Sequence, residues 1–371
     1  MSSARIERLR SAMSSAAVQA LIVTHPPNLR YLTGLVASAG ALIVGLTECR
    51  LIVDSRYLEA AQAAAATSSG VTVRLASGGL DQAIAGEIGS YSASHVGIEA
   101  AYLPVARYER LRGLLVQQAG DGAEGAQRRR AALVPTEGLV EQLRTVKDAG
   151  EVATLREAAR RLSAVASRAR EFVQAGRTEA AVAALVDAAV RAAGFERPAF
   201  ETIVASGPNS ALPHARPGGR VLADGEGVVL DFGGIYDGYC VDLTRTLHLG
   251  PPGAGFRRLF SAVTEAHAAA IAAVQPGALA TDIDKAARRV LERHGLGEAF
   301  GHGTGHGLGL EVHEDPRISP LAPADARVSA GMVFTVEPGA YLPGSAGVRI
   351  EDDVLVTETG CELLTNVAVE L

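Results

Sequence analysis

A chain of 371 residues, 48% hydrophobic and 20% charged, is long enough for two domains with sizeable cores and needs no covalent staples. Its 35 basic and 41 acidic side chains leave a formal charge of −6, which supplies no field for gathering phosphate backbones and argues against a nucleic-acid partner. Three scattered cysteines, Cys49, Cys240 and Cys361, suit a reducing cytoplasm better than a disulfide framework, and the longest apolar run, 35–46, is too short for a membrane span of roughly 20 residues.

The start, 1–10, carries charges of both signs and does not read as a secretory signal. Over the next 120 residues or so, helical and strand patterns alternate as in an α/β domain. Strands are expected at 20–23, 41–44, 51–53 and 71–74, and helices at 5–17, 55–66 and 104–117. Between 118 and 130 the chain turns to Gly, Gln and the basic run Arg128-Arg129-Arg130, which marks a loop or a domain edge. The expected division is an amino-terminal domain over 1–132, a linker over 133–147 and a second domain over 148–371. Two long alanine-rich helices open the second domain, 148–174 and 178–193, the latter capped by Thr178 and stopped at Gly194. Strand patterns follow at 202–206, 228–235, 238–249, 302–313, 332–337 and 347–356. Helices at 256–275 and 282–294 lie between them, the second opened by a box-like Thr281 with Asp284. The expected fold class is α+β.

Four stretches carry chemistry. In the first, Asp237-Gly238 is a hairpin signal between two apolar runs. It folds Asp231 back toward Asp242, on one face and close enough to share a ligand. Two buried, unpaired carboxylates would cost several kcal/mol, so a cation between them is the economical reading; a pair of exposed edge carboxylates is the alternative. The second is the glycine-rich run 301–314, with His302, His306 and His313. Its glycines make a helix improbable and miss the dinucleotide fingerprint. In extended backbone His302 and His306 point together, with His313 at the far end. The third and fourth end β-branched runs in Glu337 and Glu351. This oxygen-rich set favours manganese or cobalt over a thiolate zinc site, and four acids can hold two such ions.

In order and spacing these residues resemble the pita-bread metallopeptidases, in particular the branch of Xaa-Pro dipeptidase (prolidase) and aminopeptidase P. Asp231 stands in LDFGG, Asp242 in VDLTRT, His306 in GTGHGLG, Glu337 in TVEPG and Glu351 in RIEDD. The stretch 23–34 resembles the smaller creatinase and prolidase type of amino-terminal domain. The resemblance implies two divalent ions, manganese first with cobalt or zinc as alternatives. Asp231 would hold one, Asp242 and Glu351 would bridge both, and His306 and Glu337 would complete the second. A bridging hydroxide would attack the scissile carbonyl, with Glu337 moving the proton to the leaving proline nitrogen.

By the same resemblance His214 and His313 would bind the substrate carbonyl and its oxyanion, and His302 would be a further pocket imidazole. Arg349 would orient carboxylates. Arg317 would receive the free carboxylate of a dipeptide, unless it merely pairs with Glu314 or Asp315, and Tyr341 would hydrogen-bond a ligand or pack. His25 is worth watching, because in dimers of this family the amino-terminal domain can cap the partner's pocket. The implied activity is hydrolysis of the bond before proline in Xaa-Pro dipeptides by a cytoplasmic homodimer. Aminopeptidase P action on longer peptides is the alternative, and a creatinase-like or non-catalytic binding protein is a more distant one.

Overall fold

In the computed structural model, which describes residues 2–66, 70–91, 93–120 and 131–371, the chain divides into two units, Met1–Arg144 and Thr145–Leu371. The first unit is built on a mixed six-stranded sheet. Its strands are β1 (Ala20–Val23), β2 (Ala41–Gly45), β3 (Cys49–Val53), β4 (Val71–Leu75), β5 (His95–Glu99) and β6 (Ala132–Thr136), in the spatial order β4-β3-β2-β1-β5-β6. Fully buried Ile22, Ile43, Ile52 and Val96 make its core with Leu111 from the helix Val105–Gly120. The stretch expected as a linker, 133–147, carries most of β6, which pairs in parallel with β5, and the short helix Glu141–Thr145. The basic run Arg128-Arg129-Arg130 lies outside the described residues. Among those residues no helix is long and apolar enough to cross a membrane.

The second unit sets one pair of helices against each of two sheets. Strands β7 (Arg197–Pro198), β8 (Ile203–Ser206), β9 (Gly227–Tyr236) and β10 (Tyr239–His248) form the first sheet, with β9 central. The helices Ala149–Ala166 and Glu179–Ala192 bury Leu155, Leu162, Val182 and Val186 against Leu230, Phe232 and Val241. The second sheet has the order β12-β11-β13-β16-β17, from β11 (Gly305–Gly307), β12 (Glu314–Ile318), β13 (Val333–Val336), β16 (Asp352–Val356) and β17 (Cys361–Leu363). Helices Ala254–Ala273 and Ala280–Arg293 cover it through Phe260, Ile283 and Leu291 on Phe334 and Val354. A separate ribbon joins β14 (Gly339–Leu342) and β15 (Ala346–Arg349).

Several expectations are corrected here, those about strands for reasons of pairing. The stretch 302–313 is not one strand. Only Gly305–Gly307 is extended, and the chain loops back as β12 to pair with it across a bulge between His306 and Gly307. The stretch 347–356 splits at Ile350–Glu351, because β15 bonds to β14 while β16 bonds to β13 and β17. The helix expected over 148–174 ends at Ala166, with a four-residue turn following at Ala169–Phe172. Thr281 does not cap its helix. A bridge between Leu279 and Arg327 starts the helix earlier, at Ala280, and Asp284 turns to other partners. Thr178 does cap the helix Glu179–Ala192, accepting from Ala181 N at 3.2 Å.

Candidate active site

The hairpin turn sets the register from which the site is built. Asp237 and Gly238 both adopt positive φ, 43° and 73°, the conformation of a two-residue turn matched to strand twist. Asp231 therefore lies opposite Thr244, and Asp242 opposite Gly233. The two carboxylates sit diagonally on one face, 8% and 5% exposed.

Glu351 arrives from the break between β15 and β16. Its amide donates to the Thr244 carbonyl at 3.1 Å, and the Thr244 hydroxyl donates to its Oε2 at 2.5 Å. One threonine on β10 thus pins both the backbone and the side chain of Glu351. Thr335 does similar work one sheet away: its hydroxyl accepts from His306 N and donates to Glu337 Oε1, each at 3.0 Å.

The tautomer of His306 follows from its partner. A carbonyl can only accept, so the contact of Nδ1 with Gly307 O at 3.1 Å places the proton on Nδ1 and leaves Nε2 as a bare lone pair. That lone pair faces Glu337 Oε1 at 3.3 Å. Ligand atoms of Asp242, His306 and Glu351 all lie within 4.8 Å of one another. Asp231 Oδ1 and Asp242 Oδ1 are buried without a hydrogen-bond partner. Acceptors gathered around acceptors, away from water, are costly unless a cation joins them. Burial, then the charges of Glu351 and Asp231, push the Asp242 carboxyl well above the usual carboxylate range. Burial and the neighbouring Glu337 and Asp231 do the same to Glu351, and burial raises Glu337. Four carboxylates and one imidazole with this chemistry fit divalent cations held by oxygen and nitrogen.

The buried Arg349 sits behind this cluster. Its guanidinium pairs with Asp231 Oδ2 and donates to Tyr341 Oη at 2.9 Å, to Thr244 Oγ1 at 3.2 Å and to the Pro213 carbonyl at 3.1 Å. Tyr341 Oη also meets His302 Nε2 at 3.0 Å, while His302 Nδ1 donates to Gly303 O at 2.8 Å. The chain of donors therefore runs from Arg349 to Tyr341 to His302, and both ring nitrogens of His302 are engaged.

Period-two reasoning paired His302 with His306, and the structure does not. Residues 302–304 are irregular rather than extended, so His302 turns to Tyr341, while His306 packs on His313 with ring centroids 4.3 Å apart. Burial, then the charges of His306, His214 and Arg317, lower His313 to about 4, and burial also lowers His302 and His306. All three are neutral near pH 7. His214 is exposed, follows the Pro213 carbonyl held by Arg349, and lies near enough to act on both His302 and His313. Arg317 stands opposite His306 across the β11–β12 ladder and is exposed. It has no carboxylate partner among the described residues, and Glu314 is instead paired with Lys147 at 3.4 Å.

Residue types alone missed several members. Thr244 and Thr335 stand two positions from Asp242 and Glu337, the first pair on one face of β10 and the second at the end of β13, and that offset was the available signal. Asp353, wholly buried, accepts from Asp242 N at 3.1 Å. Arg245 binds the carbonyls of Thr244 and Glu351 from behind, at 2.9 and 2.6 Å, with Asp352 as its counter-ion.

Residues 153–358 match the pattern of metallopeptidase family M24, and residues 5–146 match that of the creatinase/prolidase amino-terminal domain. An uncharacterized peptidase of Bacillus subtilis is 34% identical over 99% of both chains. The solved structure of a Xaa-Pro dipeptidase from Bacillus anthracis superposes with a TM-score of 0.93 at 33% identity, covering 100% of this chain and 99% of that one. An X-Pro aminopeptidase from Thermotoga maritima does so with 0.85 at 31% identity, over 97% and 99%. With a family match across more than half its length and a full-length relative above 30% identity, the chain belongs to metallopeptidase family M24 and carries a creatinase/prolidase-type amino-terminal domain.

Proposed function

We propose that this chain is an Xaa-Pro dipeptidase that hydrolyses the peptide bond preceding proline with two divalent cations. The observation that carries the reading is the bare Nε2 of His306 facing Glu337, with Asp242 and Glu351 beside it, in a pocket of unpaired carboxylate oxygens. Asp231 would hold one ion, Asp242 and Glu351 both, and His306 and Glu337 the second. When bound, the cations supply an activated water and polarise the scissile carbonyl. Glu337, whose Oε1 is taken by Thr335, carries the proton on Oε2 to the leaving nitrogen. His214 and the neutral His313 offer ring N–H groups to the oxygen that gains charge. His302 is the pocket imidazole that fixes Tyr341, and Arg349 orients Asp231.

Manganese suits this hard donor set best, with cobalt or zinc as alternatives. Three free cysteines fit a reducing cytoplasm, and the family likeness supports a homodimer. The dipeptidase reading rests on Arg317, an exposed cation across the ladder from His306 with no carboxylate of its own. Similarity to the Thermotoga maritima aminopeptidase keeps action on longer peptides as the second reading.

A panel of Xaa-Pro, Xaa-Pro-Ala and Xaa-Ala peptides, assayed with manganese restored after chelation, separates the two. We expect Xaa-Pro to be cleaved fastest and Xaa-Ala not at all. Arg317→Ala should raise KM for Xaa-Pro by roughly 10- to 100-fold, the worth of a charge-assisted hydrogen bond, and leave tripeptides little changed. Faster cleavage of Xaa-Pro-Ala by the unaltered protein makes it an aminopeptidase P instead and removes Arg317 as a carboxylate clamp.

A further inference from the structure

One ion pair, a buried carboxylate with a partly exposed guanidinium, lies outside the proposed ligand set yet grips the chain segment that feeds it. Helix Ala280–Arg293 places Asp284 and Arg288 one turn apart on the same face. Asp284 is wholly buried, and Arg288 meets it through two parallel bonds of 2.9 Å, Nε to Oδ2 and Nη2 to Oδ1. The rest of that guanidinium is spent on the irregular stretch 300–304. Nη1 donates to the Phe300 carbonyl at 3.0 Å and Nη2 to the His302 carbonyl at 2.8 Å, while Cζ lies 4.3 Å over the Phe300 ring. The Phe300 and His302 rings in turn meet edge to face, with centroids 5.0 Å apart.

Asp284 holds the other end of the same stretch. Its Oδ1 accepts from Thr304 N at 3.2 Å and Thr304 Oγ1 at 3.0 Å. The Thr304 carbonyl then accepts from the amide of Glu337 at 2.7 Å. Two side chains from one helix therefore satisfy the carbonyls of Phe300 and His302 and the amide of Thr304, in a segment with no ladder to do so. Through them, the direction of the His302 ring and the seat of Glu337 both depend on the helix.

We infer that Asp284 and Arg288 are positioning residues for the hydrolysis, fixing the 300–304 stretch so that His302 and Glu337 face the carboxylate cluster. The role in turnover rests on the function proposed above; the clamp itself does not. Arg288→Lys keeps the charge but loses the planar fork, since one ammonium cannot bind a carboxylate edge-on and hold two carbonyls while lying over a ring. Asp284→Asn keeps an oxygen for Thr304 but turns its NH₂ toward Arg288 Nε–H, a donor against a donor, and removes the counter-ion, so it too should loosen the stretch.

Two measurements test this. In metal-free protein, hydrogen exchange at the amides of Thr304 and Glu337 should accelerate about tenfold or more in Arg288→Lys, with the amides of β9 and β10 unchanged. In metal-loaded protein, kcat for Xaa-Pro should fall roughly 10- to 30-fold with KM within about twofold and metal content retained, and combined with His302→Ala the loss should be smaller than the product of the two single losses, because the part carried by His302 is then already gone while the part carried by Glu337 remains. Unchanged exchange at Thr304 and Glu337 overturns the clamp. Exchange that accelerates throughout the second unit, or losses that multiply independently with His302→Ala, reduces the pair to general stability and overturns the positioning role. If the unaltered protein cleaves no Xaa-Pro peptide, the functional reading fails on its own, and the exchange experiment still decides whether the pair holds the segment.

Discussion

Asp242→Ala is expected to leave a folded protein that binds neither divalent ion and has lost turnover by a factor on the order of 10³ or more. The reason lies in what surrounds the side chain. Asp242, His306 and Glu351 offer ligand atoms that all lie within 4.8 Å of one another, and of these three Asp242 has a carboxylate oxygen, Oδ1, buried without a donor. Removing it takes away a shared ligand, a larger change than the outer-shell substitutions that typically cost roughly 10- to 100-fold in affinity. Folding should not suffer. The Asp242 amide keeps its bond to Asp353, and deleting one of several crowded carboxylates relieves repulsion in the metal-free protein. The melting midpoint without metal should therefore hold or rise, while added manganese raises it only in the unaltered protein, by about 2.7 kcal/mol of stability at a hundredfold excess over Kd. Two metal equivalents retained in the variant, with turnover, would contradict the shared-ligand assignment.

Glu337→Gln is the second large effect. The amide is nearly isosteric and can still accept from Thr335, but it has no charge and cannot take up a proton. It can also turn its NH₂ toward His306 Nε2, the lone pair now 3.3 Å from Glu337 Oε1, and so occupy a nitrogen needed by a cation. We expect kcat to fall by roughly 10² to 10⁴, the range for losing a positioned acid–base group, together with weaker metal binding. Full metal content with less than a tenfold loss would remove Glu337 from proton transfer.

How much of this was legible depended on the range of the interaction that decides each residue. Asp231 and Asp242 could be paired from the sequence because a two-residue turn and a period of two settle which side chains share a face. Glu337 and Glu351 stood out because carboxylates are out of place beside buried β-branched runs. The imidazoles could not be sorted the same way. His302 and His306 share a face only if the backbone between them is extended, and here it is held irregular by Arg288, from a helix that spacing has no means of pairing with it. The stretch holding Arg349 and Glu351 read as one strand because its pattern is continuous, yet the partners lie on different sheets. Thr244 and Thr335 went unnoticed because threonine is an ordinary strand former, and only its neighbours show where its proton goes. In the first unit the alternation of strands and helices was readable, whereas β5 was missed: five residues with a glycine at the centre, Gly97, give little pattern to detect.

The central claim is that Asp231, Asp242, His306, Glu337 and Glu351 together grip two cations. Anomalous diffraction from manganese-soaked crystals tests it most directly. Two peaks enclosed by those five side chains are the predicted result. A single peak outside them, or none at manganese concentrations that support peptide cleavage, would contradict it.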